Sequence, residues 1–185
     1  MKKVKITISQ INPVVGDISN NCKKIIRILK KNRKLSDLII FPEMSLVGYP
    51  PEDLILKKKF MNDVLVCVNK IKEKCKLYNV ATIIGLPYKY KQGIGNAALF
   101  LNKDNAKVIY KTKLPNYGVF DEKRLFIKGQ NIKSVKWKGL RLGILICEDM
   151  WSKSVPNNLI KDGIDIFISI NASPYDHDKI KNRIN

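Results

Sequence analysis

The sequence predicts an α/β layer architecture, a mixed sheet covered by helices, and three observations carry it. The continuous apolar run Leu38-Ile39-Ile40-Phe41 reads as a strand buried on both faces, and Leu140 to Ile146, apolar but for Arg141, reads as another buried strand. Two stretches with apolar residues at helical spacing lie between such runs. A pair of β-like runs joined by a short polar turn adds antiparallel strands to an otherwise alternating order of strands and helices.

Taken in order, Val4 to Ile11 alternates with period two, is rich in β-branched residues and is closed by Asn12-Pro13, so it reads as a strand. Asp17 or Ser19 can cap the helix that follows, in which Ile18, Cys22, Ile25, Ile26 and Leu29 form one apolar stripe. That helix ends in Lys30-Lys31-Asn32-Arg33-Lys34, a charge that suits a helix carboxyl terminus. After the strand at 38 to 41, Gly48 and Pro50-Pro51 prevent a long helix over 44 to 51 and make a shaped loop, with Lys57-Lys58-Lys59 in a loop beyond it. Phe60, Val64, Val68, Ile71 and Cys75 mark a second amphipathic helix. Strands are expected at Val80 to Gly85, Asn96 to Leu101 and Lys107 to Tyr110, the first two joined by a loop carrying Gly93 and Gly95. Asn102 to Asn105 supplies residues that tolerate left-handed backbone in a hairpin turn. Thr112 to Gln130 reads as a long irregular segment, a length that is uncommon without a functional reason. Strands at Leu140 to Ile146 and Ile164 to Ile170 complete the order, the last running into Asn171-Ala172-Ser173-Pro174.

With 185 residues, 45% of them hydrophobic, the chain can build one core, and one domain is expected. The amino terminus alternates charged and apolar residues without the apolar stretch of a secretory signal, and no run is long enough to span a membrane, which points to a cytoplasmic protein without a membrane partner. Cys22, Cys67, Cys75 and Cys147 form no C-x-x-C pair and His177 is the one histidine, so no zinc or redox motif can be assembled. Cys22 and Cys75 lie on apolar stripes and Cys67 beside one, as core residues do. The net charge of +19 would ordinarily suggest an anionic partner, but the lysines are spread over every element and no aromatic residues are interleaved to stack bases. A solvated surface accounts for the charge, and no nucleic-acid partner is expected.

Cys147 directly follows the apolar strand run 140 to 146. Strand carboxyl ends are where side chains leave a rigid layer and enter a crevice. A lone cysteine after aliphatic residues is more often core filling than nucleophile. Two further strand-like runs also end in ionisable residues, however, in Phe41-Pro42-Glu43-Met44 and in the segment from Lys111 to Glu122. A thiol beside a carboxylate base and an ammonium is sufficient for acyl transfer without histidine. Glu43 would take the proton, and a lysine would stabilise the oxyanion.

Phe41-Pro42-Glu43, Lys111 before Leu114-Pro115-Asn116-Tyr117-Gly118-Val119-Phe120-Asp121-Glu122, and Ile146-Cys147-Glu148-Asp149 resemble the carbon-nitrogen hydrolase (nitrilase) superfamily. Together with Cys147-Glu148-Asp149-Met150-Trp151 and Asn171-Ala172-Ser173-Pro174 they resemble, within it, the amino-terminal glutaminase domains of glutamine-dependent NAD synthetases, from Val4 to the end of the chain. The resemblance implies a nitrilase-like αββα sandwich, incomplete at its carboxyl terminus. In it Glu43 is the base, Lys111 the oxyanion-stabilising ammonium and Cys147 the nucleophile that forms a glutamyl thioester. The family spacing selects Lys111, with Lys113 as the runner-up. Tyr117, Ser173 and Lys179 map onto glutamine-binding positions, although Asp176-His177-Asp178 before Lys179 departs from the family pattern. L-glutamine is the implied substrate, no cofactor or metal is implied within this segment, and ATP and magnesium belong to a synthetase domain that is absent here. Family members assemble as homo-oligomers. A sandwich lacking its last elements would expose apolar surface and strand edges and is expected to fold poorly, to aggregate or to need a partner. A free-standing amidase and an inactive remnant are the alternative readings.

Overall fold

The structure, a computed structural model, describes residues 3–130 and 132–174. Its elements in chain order are β1 (Ile6–Ile8), α1 (Ile18–Asn32), β2 (Leu38–Ile40), a 3-10 turn at Glu52–Leu56, α2 (Lys58–Tyr78), β3 (Ala81–Tyr90), β4 (Gly93–Leu101) and β5 (Ala106–Tyr110). The short α3 (Glu122–Leu125), β6 (Val135–Trp137), β7 (Leu140–Ile146), a 3-10 turn at Cys147–Trp151, α4 (Ser154–Lys161) and β8 (Ile166–Ile170) follow.

These strands form two sheets rather than the one mixed sheet that periodicity suggests. The first has the order β1-β2-β3-β4-β5 and the second β6-β7-β8. In the first, β1, β2 and β3 run parallel and β4 is antiparallel to both β3 and β5; in the second, β7 is antiparallel to β6 and parallel to β8. Alternation along each strand explains the layering. Ile39, Phe41, Ile84, Leu86, Leu99 and Leu101 face α1 and α2, whereas Leu38, Ile40, Ile83, Phe100 and Ile109 point the other way, onto Val135, Trp137, Leu142, Ile144, Ile146, Ile168 and Ile170 of the second sheet. Leu145, of opposite parity to Ile144 and Ile146, packs with Val155 and Leu159 of α4. The result is an αββα sandwich, with Trp137 set edge-on to Phe100 between the sheets at 6.2 Å.

Local signals account for most element bounds. Asp17 caps α1, accepting from the Asn20 backbone N–H at 3.1 Å, and the expected stripe is buried at Ile18, Cys22, Ile25 and Leu29. Lys58 and Lys59 open α2 rather than lying in a loop, and α2 ends at Asn79 in the left-handed conformation. β1 is shorter than the alternating run. β3 and β4 are longer than expected, because Gly93 and Gly95 lie inside β4, not in a loop. Each of these glycines makes room for a neighbour. A Cβ at Gly95 would sit 2.5 Å from the Tyr110 ring and one at Gly93 would sit 2.6 Å from Ile127. β6 and α4 had no distinct signal in the sequence, being short elements whose apolar residues interleave with lysine and asparagine.

Gly85 on β3 fixes the height of the loop that carries Glu43. Its N–H and C=O bond Ser45 Oγ and the Leu46 N–H, and an added Cβ would meet Met44 N at 2.4 Å and Glu43 Cα at 2.6 Å. Gly85→Ala is therefore expected to destabilise the protein by about 1 to 3 kcal/mol and to lower activity along with it, because the clash is with backbone that cannot rotate away. Urea unfolding together with an amide-hydrolysis assay checks this, and an unchanged midpoint would contradict it.

Candidate active site

Four chain segments converge at one end of the sandwich. Glu43 follows β2, Lys111 follows β5, Cys147 follows β7, and Ala172-Ser173 follows β8. β5 is antiparallel to β4, which is antiparallel to β3, so the carboxyl ends of β2 and β5 lie on the same side of the first sheet. Glu43, Lys111 and Cys147 are all buried, with 2%, 1% and 5% of their surfaces exposed, so none is the solvated side chain its type would ordinarily be.

The Lys111 ammonium donates to Glu43 Oε1 and to Glu122 Oε1, both at 2.8 Å. Asn96, on β4, donates from Nδ2 to the same two oxygens at 2.8 and 3.3 Å, and the Tyr49 hydroxyl donates to Glu122 Oε1 at 3.1 Å. Glu43 Oε2 accepts the Ala172 backbone N–H at 2.9 Å, which ties the loop after β8 to the loop after β2. A carboxylate offers about four acceptor positions. Glu43 thus uses three among the described residues and keeps one on Oε2. Cys147 Sγ lies 3.3 Å from Ser173 Oγ.

The titration behaviour follows from this packing. Burial pushes the Lys111 ammonium toward deprotonation, but the Glu43 and Glu122 carboxylates outweigh it and hold the group above the usual lysine range. Lys111 is therefore a fixed positive charge and not a base. Burial, followed by the Glu43 carboxylate, pushes the Cys147 thiol up, against weaker opposing pulls from Ser173 and Lys111. The resting sulfur is a neutral thiol, which needs a base at the moment of attack. Burial pushes the Glu122 carboxyl up to about 7, with Lys111 pulling the other way. Its Oε2 atom and Asn96 Oδ1 are buried without a hydrogen-bond partner among the described residues.

Cys147 adopts φ 47°, in the left-handed region that few side chains tolerate. Such backbone persists only where its surroundings hold it, and here it sits at the end of β7 with the thiol beside Ser173. Tyr117, at 58% exposure, lies at the mouth and donates its hydroxyl to Glu148 Oε2 at 3.0 Å. Phe120 connects Tyr117 to Tyr49 through edge-to-face contacts at 5.5 and 6.3 Å. Lys113, two residues from Lys111, lines an outer crevice with Tyr117, Lys123 and Glu148 and makes none of the site's ion pairs. Lys179 and His177 lie outside the described residues. Among the described residues no three His, Cys, Asp or Glu side chains are placed to hold a metal, and no helix is long and apolar enough to cross a membrane.

Sequence reasoning gave no role to Glu122, Asn96, Tyr49 or Asp149. Glu122 and Asp149 stand inside motifs already singled out, so an acidic residue within the motif was the available signal. The helical turn that presents Glu122 interrupts the segment expected to be wholly irregular. Asn96 and Tyr49 carried no local signal, because their value comes from pairing across the sheet.

The sequence profile of carbon-nitrogen hydrolases matches residues 5–184. The chain is 35% identical to a glutamine-dependent NAD(+) synthetase of Thermotoga maritima over 95% of its own length and 31% of that protein's, and 36% identical to one of Aquifex aeolicus over 93% and 30%. It thus spans about a third of the length of these curated relatives. The solved glutamine-dependent NAD+ synthetase of Acinetobacter baumannii, in complex with ADP, superposes with a TM-score of 0.87 at 34% identity, over 97% of this chain and 34% of that one. An amidase from Nesterenkonia sp. superposes with a TM-score of 0.83 at 18% identity over 96% and 68%, a likeness of fold.

Proposed function

The chain belongs to the carbon-nitrogen hydrolase family, and from that premise we propose that its site is a glutaminase that releases ammonia from L-glutamine for glutamine-dependent NAD synthesis. The observation that carries the chemistry is the buried Lys111 ammonium, held by two carboxylates beside a neutral thiol. The identity to glutamine-dependent NAD(+) synthetases of two bacteria supports glutamine as the amide.

Each residue has one task in this reading. Glu43 takes the Cys147 proton as sulfur bonds to the amide carbon, and Lys111 stabilises the oxyanion of the tetrahedral intermediate. Glu43 returns the proton to nitrogen, the C–N bond breaks, and ammonia leaves behind a glutamyl thioester. Water, deprotonated by Glu43, attacks the thioester carbon and gives glutamate and the free thiol. Tyr117 and Ser173, with Lys179, bind the substrate. The ammonia serves an ATP- and magnesium-dependent synthetase half that amidates deamido-NAD, in a homo-oligomeric cytoplasmic enzyme. Four free cysteines accord with a reducing compartment.

A free-standing amidase is the competing reading, and the fold shared with the Nesterenkonia amidase is what favours it. Ammonia release from L-glutamine and from propionamide by the full native chain distinguishes the two. Glutamine is expected to be preferred by at least about a hundredfold in kcat/KM, given polar groups that would be left unpaired by a simple amide. A preference for propionamide would overturn the glutaminase reading.

A further inference from the structure

We propose that Asp149 is the positioning residue that sets the Lys111 ammonium against the Cys147 thiol, by pinning the two sheets together at the site. The proposal rests on the hydrolytic reading above. Asp149 is fully buried, on the turn two residues after the nucleophile. Its Oδ1 accepts from the Thr112 backbone N–H at 3.0 Å, the Thr112 hydroxyl at 2.7 Å and the Lys113 backbone N–H at 2.8 Å, while Oδ2 accepts from the Ile146 N–H at 3.4 Å. Thr112 is the residue after Lys111, and Ile146 is the residue before Cys147. One carboxylate therefore binds the backbone adjoining each reacting side chain, the first extending from the five-stranded sheet and the second ending a strand of the three-stranded sheet.

Within its own sheet Lys111 is already fixed, its N–H donating to the Asn96 carbonyl and its carbonyl accepting from the Gly129 N–H, both at 2.8 Å. Those bonds set its place along β4 but not its distance from β7. Of the other polar links across the sheets among the described residues at the site, Glu43 to Ala172 is made by the base itself and Tyr117 to Glu148 is solvent-exposed. Asp149 is hydrogen-bonded to no reacting group, so its effect passes through backbone. All its partners are donors, which suits a carboxylate that can only accept and does not suit an amide. In Asp149→Asn the NH₂ group must face at least one N–H or O–H, and the turn that holds Cys147 at φ 47° loses part of its anchor.

The test uses the full native chain with three variants, Asp149→Asn, Thr112→Val and Thr112→Ser. Two readouts are taken: kcat and KM for L-glutamine, and the rate of Cys147 alkylation by iodoacetamide against pH, followed by mass spectrometry of the Cys147 peptide. Asp149→Asn should lower kcat about a hundredfold, the scale of a 1 Å misplacement, with KM changed less than about threefold. Thr112→Val should lower kcat about tenfold and move the alkylation midpoint to higher pH as Lys111 recedes from the sulfur, while Thr112→Ser restores both. A Thr112→Val protein with parental kcat and alkylation profile, or a loss that serine fails to restore, overturns the proposal. The Thr112 pair decides alone where Asp149→Asn does not fold. Alkylation needs no substrate, so a chain that prefers another amide would end the glutaminase reading and leave this test intact.

Discussion

Cys147→Ala is expected to end glutamine hydrolysis, with a loss of about ten-thousandfold or more and little change in fold, as removal of a covalent nucleophile does elsewhere. Among the described residues no neighbour can take over. Ser173 Oγ lies 3.3 Å from the sulfur, but it is a far weaker nucleophile and its loop is fixed through Ala172 to Glu43. The thiol is buried, so its replacement by a methyl group removes a small volume and leaves the ion pairs of Lys111 in place. In a chain carrying the synthetase half, NAD formation from free ammonia should persist while formation from glutamine disappears. Glutamine-dependent turnover by the alanine variant at the parental rate would remove Cys147 from the mechanism.

That outcome depends on a division of labour that histidine-based thiol enzymes do not need. A thiol paired with imidazolium rests as thiolate, but here burial and the Glu43 charge keep Cys147 protonated until substrate arrives. In the proposed mechanism the positive charge that steadies the oxyanion is supplied by a lysine which two carboxylates prevent from deprotonating. The base and the cation thus support one another, and neither can be altered without changing the other.

The parts of this arrangement legible in the sequence were those governed by local rules. Apolar runs gave β2 and β7, their ends placed Glu43 and Cys147, and 3.6-residue spacing gave the buried stripes of α1 and α2. What was not legible depends on long-range pairing. Periodicity at Leu38 to Phe41 says that both faces are buried, but it does not say that one face meets helices and the other meets a second sheet. Gly93 and Gly95 read as loop residues, but pairing with Tyr90 and Tyr88 of β3 makes them strand, and Ile127 and Tyr110 pack where their side chains would be. Glu122 shows the same limit at the site. Its motif drew notice, but its function as the second carboxylate on Lys111 appears only when the turn within the irregular segment folds back beside β4 and β5.

Lys111→Met should be the most damaging single substitution for stability, because it leaves Glu43 and Glu122 buried without the ammonium that both share. Breaking a buried pair by removing one partner costs about 3 to 5 kcal/mol, and here one removal strands two carboxylates. The cost must depend on pH, and the sign follows from linkage. Glu122 is already raised to about 7 with Lys111 present, and loss of the cation raises it further above its unfolded value of 4.5. The folded variant then binds more protons than the unfolded chain through this interval, so its stability falls as pH rises from about 5 to about 8. Activity should fall by about a hundredfold or more from loss of the oxyanion donor. Adding Glu122→Gln to Lys111→Met removes one stranded charge, and it should recover much of the stability while recovering none of the activity. Urea unfolding at both ends of that pH range, with glutaminase assays on the single and double variants, reads these effects separately. Equal destabilisation at both pH values would show that Glu122 does not depend on Lys111 for its charge.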